Sequence, residues 1–204
     1  MQAELITRFF DSHKQIVVFD TEYTTWEGAM ERKWSGPNEH RELVQIAAQI
    51  VDIESEKVID SFERLVIPTI NPILSDYFVS LTGITQAEVL ERGDNFETVY
   101  QAFDTWTAGL PIFSFAQSLE STSDRGVLEE NLRLYNSSLK LDPNRYGTLT
   151  ALFRGAGIDT TKYSSGEIYR ALQLPLEGHV HNAMHDVNSL VATLFAVKKL
   201  KGGD

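Results

Sequence analysis

The sequence of 204 residues has no cysteine, no long apolar run and only 18 Lys and Arg against 29 Asp and Glu. Without cysteine there can be no disulfide, no thiolate zinc ligand and no cysteine nucleophile. No stretch approaches the ~18 consecutive apolar residues of a transmembrane helix. The opening residues, Met-Gln-Ala-Glu, also lack the basic and then apolar character of a signal peptide. We therefore expect a cytoplasmic location and no membrane partner.

Positive charge is scarce overall and unevenly placed. The formal net charge is −11, and almost all of it falls in residues 1–100. This balance argues against a protein that coats nucleic acid by bulk electrostatics. The available phosphate contacts are Arg125, Arg133, Lys140, Arg145, Arg154, Lys162 and Arg170. For any single one of these, a solvated surface charge is the favoured alternative. The length and ordinary apolar content predict a single domain over 1–204.

The first apolar run is the most informative stretch of the chain. Ile16 to Phe19 are continuously apolar and mostly β-branched, which is typical of a central strand buried on both faces. Asp20 and Glu22 follow, and the two-residue period of a strand places both carboxylates on one face. Two such charges at the edge of a core remain ionised where a cation lies between them. The pattern favours a divalent metal such as Mg²⁺, with a turn or a helix cap as the alternative.

The remaining pattern predicts an α/β chain. Apolar runs predict strands over 42–52, 57–67 and 110–116 and near Tyr146, and the short connections among the first three strands predict an antiparallel meander. Helical spacing is found over 1–13, 74–81, 95–108 and 167–172, after Asp124, and at the end of the chain to about Leu200. The polar segment 23–40 is predicted to be a loop. Its Trp26 and Trp34 either stack on bases or sugars or pin the loop to the core.

Two later carboxylates and a histidine join the first pair. Asp124 follows a polar loop, 117–123, at the start of a predicted helix, so it is either a helix N-cap or a metal ligand. Asp186 lies at the edge of the buried face of the last helix. On one continuous helix His181 would diverge from it by ~140°. The two converge only if His181 lies on the preceding loop, which Gly178 favours.

Four carboxylates and one histidine suit the hydrolysis of a phosphodiester. Two Mg²⁺ or Mn²⁺ ions ~3.5–4 Å apart can clamp the attacking and leaving oxygens. An imidazole can take a proton from the attacking water near neutral pH. The candidate site therefore consists of Asp20, Glu22, Asp124, Asp186 and His181.

In these motifs the sequence resembles the DEDDh branch of the DnaQ-like 3′–5′ exonucleases. The segment 20–22 matches the family's D-x-E, Asp124 with Leu128 matches its second motif, and His181 with Asp186 matches H-x4-D. The resemblance extends over residues 15–195, and the spacing is most similar to the branch that trims RNA 3′ ends. Two departures are a longer, tryptophan-bearing loop after the first strand and a polar stretch before Asp124 that is expanded and lacks the usual Asn.

The resemblance implies a ribonuclease H-like fold, a mixed five-stranded sheet with three antiparallel and two parallel strands and helices on both faces. It implies that the four acids bind two metal ions and that His181 is the general base. The implied reaction releases nucleoside 5′-monophosphates from the 3′ end of single-stranded nucleic acid, with RNA favoured over DNA. Tyr23 and Thr24 would contact the terminal nucleotide, and Trp26 of the following loop is a further candidate contact.

Three alternatives remain. His179, His181 and His185 form H-x-H-x3-H, the spacing of a zinc hydrolase site, but this hypothesis leaves Asp20 and Glu22 without a role. In that case His185 would bind metal, whereas the exonuclease hypothesis places it at the surface or behind the site. A ribonuclease H-type endonuclease would use the carboxylates but not the histidine. A catalytically silent module that binds nucleic acid or protein would use the carboxylates to hold a structural ion, but it would not require the histidine. The sequence identifies no protein partner.

Overall fold

The sheet is mixed and has five strands. A computed structural model of the chain describes residues 2–117 and 123–201. The strands are β1 (Gln15–Tyr23), β2 (Leu43–Asp52), β3 (Lys57–Leu65), β4 (Ile112–Ser114) and β5 (Tyr146–Thr148). Their order is β3-β2-β1-β4-β5, with β1–β2 and β2–β3 antiparallel and β1–β4 and β4–β5 parallel. The predicted meander and the predicted ribonuclease H-like sheet are therefore confirmed.

Strand β1 is central and buried on both faces. Ile16, Val17, Val18 and Phe19 are 0% exposed. Alternate residues enter two separate cores, since Ile16 and Val18 pack in one cluster and Val17 and Phe19 in another. Helices α1 (Gln2–Ser12), α6 (Thr150–Gly155) and α7 (Ala183–Lys201) cover the first face, and α4 (Phe96–Trp106) and α5 (Asp124–Leu134) cover the second. Helices on both faces are thus also confirmed.

Two short helices, α2 (Asp76–Thr82) and α3 (Gln86–Arg92), follow the meander. Gly83 ends α2 in the left-handed region with φ 75°, as its position in the sequence predicts. Helix α3 is absent from the sequence prediction. Its start carries a capping box, in which Thr85 and Glu88 each accept from the other's backbone N–H. The three-residue spacing of Thr85 and Glu88 could have indicated the start of this helix in the sequence. The helix itself has only seven residues, which show too little apolar periodicity to predict it.

The segment Ser165–Leu172 is a 3-10 helix and not the predicted α-helix. Such helices rarely exceed four residues, so this one depends on its packing against α7. Residues 118–122 of the polar loop before Asp124 lie outside the described residues, and so does the predicted expansion there. No helix within 2–117 and 123–201 is long and apolar enough to cross a membrane.

Candidate active site

A cavity of about 280 Å³ lies where β1 ends. It is lined by all four predicted carboxylates and the predicted histidine, namely Asp20, Glu22, Asp124, Asp186 and His181. These residues come from three distant parts of the chain, and the sheet brings them together. The rest of the lining comes from β1, the 24–42 loop, α2 and two further segments: Thr21, Tyr23, Thr25, Met30, Trp34, Tyr77, Leu81, Phe115 and Ser165.

Because side chains alternate between the two faces of the sheet along β1, its last residues point in different directions. Asp20 and Glu22 continue the face that Ile16 and Val18 present to α7. Thr21 points to the opposite face, where its backbone N–H and its hydroxyl donate to Asp124 Oδ1 at 3.2 and 2.8 Å. Asp124 is the first residue of α5, and the N-cap is Ser123, whose side chain accepts from the Gly126 N–H. The carboxylate of Asp124 is therefore held toward the cavity by β1.

Asp186 is fixed by two donors from outside its own helix. Helix α7 begins at Ala183, so His181 lies on the preceding loop, in the left-handed region with φ 66°. The His181 N–H donates to Asp186 Oδ1 at 3.2 Å, and the Ser165 hydroxyl donates to Oδ2 at 2.7 Å. A Cβ on Gly166 would lie 2.3 Å from Asp186 Oδ1, so this close approach requires glycine.

The carboxylates disfavour one another's charge. Burial raises the pKa of Asp20 well above its usual value, and the carboxylates of Asp124, Asp186 and Glu22 raise it further. Burial likewise raises the pKa of Glu22, again helped by Asp186 and Asp124. Burial also raises the pKa of Asp124 and Asp186, against the lowering effect of their hydrogen bonds. A group of ionised carboxylates here therefore needs a cation.

The donor set fits a hard divalent ion. Glu22, His181 and Asp186 each offer one ligand atom, and these atoms lie within 4.8 Å of one another. Asp20 and Asp124 add carboxylate oxygens to the same cavity. Oxygen-rich donors are those that Mg²⁺ and Mn²⁺ prefer.

The other two histidines of the H-x-H-x3-H motif do not join this group. Of the two positions expected for His185, at the surface or behind the site, the structure has the second, because the residue is buried at 6% exposure. Its Nε2 lies 3.0 Å from Gly166 O, and a Cβ on Gly178 would lie 2.2 Å from its Nδ1. Both ring nitrogens therefore face protein backbone. His179 lines a neighbouring cavity, so the described residues offer no three-histidine zinc site.

The residues after Glu22 divide between structural and cavity positions. Tyr23 lines the cavity, but Thr24 is buried and its hydroxyl donates to His40 O at 2.6 Å. Neither Thr24 nor Trp26 lines the cavity, whereas Trp34 of the same loop does.

The loop is held firmly against the site. The Arg41 guanidinium lies 5.6 Å from the Trp34 ring centre and 5.7 Å from that of Tyr23. The same guanidinium pairs with Glu130 of α5 at 2.5 Å. Trp34 thus both holds the loop in place and lines the cavity. Met30 of the same loop also lines the cavity and is 71% exposed.

Ser165 was missed as a site residue because in sequence it indicates only a helix cap.

Solved structures share this fold. The nuclease domain of 3′hExo, a DEDDh family member bound to rAMP, aligns with a TM-score of 0.74 at 22% identity over 94% of each chain. CRN-4, cell-death related nuclease 4, aligns with a TM-score of 0.73 at 21% identity, over 92% of this chain and 64% of that one. The fold of this chain is therefore the fold of these two nuclease structures.

A family model described as Exonuclease (RNase_T) matches residues 17–194. The chain belongs to this exonuclease family, and the resemblance stated from the sequence is confirmed. The 3′-5′ exonuclease crn-4 of Caenorhabditis elegans is 27% identical over 164 residues, which cover 75% of this chain and 55% of that protein. Human 3′-5′ exoribonuclease 1 is 33% identical over 101 residues, 49% of this chain and 27% of that protein. The chain thus spans about half or less of these relatives' lengths.

Proposed function

We propose that this chain is a metal-dependent 3′–5′ exonuclease that releases nucleoside 5′-monophosphates from single-stranded nucleic acid. The observation that carries the proposal is the convergence of Asp20, Glu22, Asp124, Asp186 and His181 on one cavity. A binding module would not require a histidine beside these buried carboxylates, two of which, Asp20 and Glu22, have a pKa raised by burial and by the other acids. Such an arrangement costs stability unless a bound cation uses it.

The four acids would hold two Mg²⁺ or Mn²⁺ ions. When bound, these ions would supply Lewis-acid stabilisation of the attacking and leaving oxygens. The chain's own contribution is orientation. Thr21 and Ser165 hold the carboxylates of Asp124 and Asp186 by hydrogen bonds of 2.7–3.2 Å.

His181 is the proposed general base. Because its backbone N–H is bonded to Asp186, the residue is tethered to the site while its ring stays on a loop at the cavity wall. The ring would take a proton from the attacking water.

The proposed substrate is the 3′ end of a single strand, with RNA favoured. Two observations on similar proteins support this. Human 3′-5′ exoribonuclease 1 is named for RNA, and a 3′-exonuclease of this fold is described as recognising the histone mRNA stem-loop. Other neighbours of the fold bind DNA, as in Escherichia coli exonuclease I with a dA16 oligonucleotide. We also propose that 1–204 acts as a single exonuclease domain and works in the cytoplasm.

The test is a time course on 5′-labelled single-stranded RNA and DNA of equal sequence, with Mg²⁺, Mn²⁺ or EDTA. We expect a ladder that shortens one nucleotide at a time from the 3′ end, requires metal and is lost in His181→Ala. Internal cuts would indicate an endonuclease instead. No cleavage with any metal, for either sugar, would leave the silent binding module as the better description.

A further inference from the structure

The lining of the active-site cavity combines acidic side chains with large apolar ones. Its charged members are the four carboxylates, with His181 beside them. The largest of the other side chains are apolar or aromatic: Tyr23, Met30, Trp34, Tyr77, Leu81 and Phe115. No Lys or Arg within 2–117 and 123–201 belongs to this lining, and residues 118–122 contain neither. The chain itself can therefore hold a nucleotide here by stacking on its base, but not by ion pairs to its phosphates.

Exposed carboxylates continue this acidity around the mouth of the cavity. Glu31 follows the lining residue Met30, and Asp76 precedes the lining residue Tyr77. Lys33 is exposed on the same loop as Glu31 and offsets one of these charges. The field at the mouth is therefore negative, and it repels the phosphates of a strand that leaves the cavity.

The seven basic residues of 101–204 that the sequence offers as phosphate contacts do not line this cavity. Four of them pair with carboxylates at 2.6–3.4 Å: Arg125 with Glu129, Arg145 with Asp104, Lys162 with Asp159, and Arg170 with Glu167. Arg154 donates to the Thr160 hydroxyl at 2.9 Å. Arg133 and Lys140 line a separate cavity, and Arg133 lies about 14 Å along α5 from Asp124. These seven residues therefore form no path of free cations away from the active site.

A second cavity, of about 570 Å³, adjoins the active site, and its charges cancel. Its lining contains two arginines and two glutamates, namely Arg64, Arg92, Glu63 and Glu88. The Arg64 guanidinium lies 5.2 Å from the Phe62 ring centre, and Arg92 lies one turn after Glu88 on α3. This cavity therefore gives a strand no net positive charge either.

Upstream nucleotides add charge to the substrate without adding cationic contacts. Each brings one more phosphate, and the chain that it approaches has a formal net charge of −11. A protein that follows a strand with Lys and Arg gains affinity with strand length and loses it as salt rises. For this chain we expect the opposite dependence, because added phosphates are repelled and salt screens the repulsion.

We propose that the preferred substrates of this chain are short single-stranded oligonucleotides, of two to about four nucleotides. The proposal rests on the proposed function and names its substrate class. Water attacks the phosphorus, the P–O3′ bond breaks, and the products are a nucleoside 5′-monophosphate and an upstream fragment with a free 3′-hydroxyl. A dinucleotide is the smallest substrate, because it contains a single phosphodiester bond. The reaction that supplies these substrates is a nuclease reaction that cuts longer strands into short fragments.

The test measures kcat/KM with Mg²⁺ for a dinucleotide, a tetranucleotide and an octanucleotide that share their last two nucleotides. RNA and DNA series are both used, at ~0.1 M and ~1 M salt, where the Debye length is about 10 and 3 Å. Release of the first monophosphate is followed by chromatography. Calorimetric titration of the His181→Ala variant with the same strands gives dissociation constants, which keep their meaning even if wild type cleaves nothing.

Glu31→Lys tests the charge at the mouth of the cavity. Its matched control is Glu54→Lys, which makes the same change in the turn after β2, beside the start of β1 and so at the far end of that strand from Glu22. Neither Glu31 nor Glu54 lines the active-site cavity. We expect Glu31→Lys to raise kcat/KM for the octanucleotide about threefold at ~0.1 M salt and to leave the dinucleotide unchanged, whereas the control should change neither.

For wild type we expect kcat/KM to be at least about threefold higher for the dinucleotide than for the octanucleotide at ~0.1 M salt, with a ratio below about two at ~1 M. The dissociation constants should follow the same order. An octanucleotide that is cleaved or bound as well as the dinucleotide at ~0.1 M salt would overturn the proposal, and so would an equal effect of Glu31→Lys and Glu54→Lys. No cleavage at any length would refute the proposed function instead, and the order of the dissociation constants would then decide the length preference.

Discussion

Replacing Glu22 by Gln should stabilise the metal-free protein at neutral pH. Glu22 is 8% exposed, and burial together with the Asp186 and Asp124 carboxylates raises its pKa. The ionised side chain therefore destabilises the folded state. Gln has the same shape without the charge, so Glu22→Gln removes this penalty while it removes a metal ligand. The same variant should show a smaller rise in Tm when Mg²⁺ or Mn²⁺ is added.

The raised pKa of Glu22 also predicts how the free energy of unfolding depends on pH. Because the folded-state pKa of Glu22 is raised, the folded protein still binds a proton at a pH where the unfolded chain has released it. Wild-type stability should therefore fall as pH rises from the unfolded pKa, about 4.3, through the folded one. Asp20 has a raised pKa as well, so it contributes in the same direction. The Glu22→Gln curve should be flatter, and its advantage should vanish once the pH falls to the unfolded pKa of Glu22.

The expected gain is on the order of 1–3 kcal/mol, the usual penalty for a buried polar group without full compensation. At about 2–4 °C per kcal/mol for a chain of this size, Tm should rise by roughly 2–12 °C. One bound ion at about a hundred times its Kd would stabilise wild type by about 2.7 kcal/mol. Metal should thus reduce the advantage of Glu22→Gln over wild type.

Glu42→Gln is the matched control, because it makes the same change at another buried glutamate. The Glu42 carboxylate accepts from the backbone N–H groups of Thr69, Ile70 and Asn71 and from the Tyr135 hydroxyl, at 2.5–2.8 Å. Its loss should cost about 2–4 kcal/mol, with no effect on metal binding. Thermal and urea unfolding in EDTA, across pH, measure both variants. If Glu22→Gln destabilises the folded protein as much as Glu42→Gln does, the reasoning is refuted.

Three further variants test the site. His181→Ala should lower turnover about 10²–10⁴-fold and keep the metal-induced rise in Tm, since the ring is needed for proton transfer; a normal single-turnover rate would remove it as the base. Gly166→Ala places a methyl 2.3 Å from Asp186 Oδ1 and should lower kcat/KM about 100-fold by moving that carboxylate; unchanged kinetics would mean that the site tolerates the shift. Trp34→Ala should raise KM roughly tenfold through lost stacking, whereas Trp26→Ala, outside the cavity, should not; equal effects would contradict this assignment.

Local rules were enough for much of the fold. The apolar run before Asp20 predicted the central strand because only a strand buried on both faces reads as continuously apolar. The spacing of Asp20 and Glu22 predicted a shared face because the strand period is two. The position of His181 relative to Asp186 predicted a break before α7, since a continuous helix would have separated them.

Long-range packing decided what sequence spacing could not express. Ser165 indicated only a helix cap, but it contacts Asp186 across 21 residues. The sequence singled out Trp26 as a substrate contact, but Trp34 is the tryptophan that lines the cavity. Trp34 lies beside the Arg41 guanidinium, which pairs with Glu130 of α5. The sequence by itself therefore determined which residues could carry the chemistry. Only the tertiary structure decided which other side chains surround them, because those contacts depend on how distant elements pack.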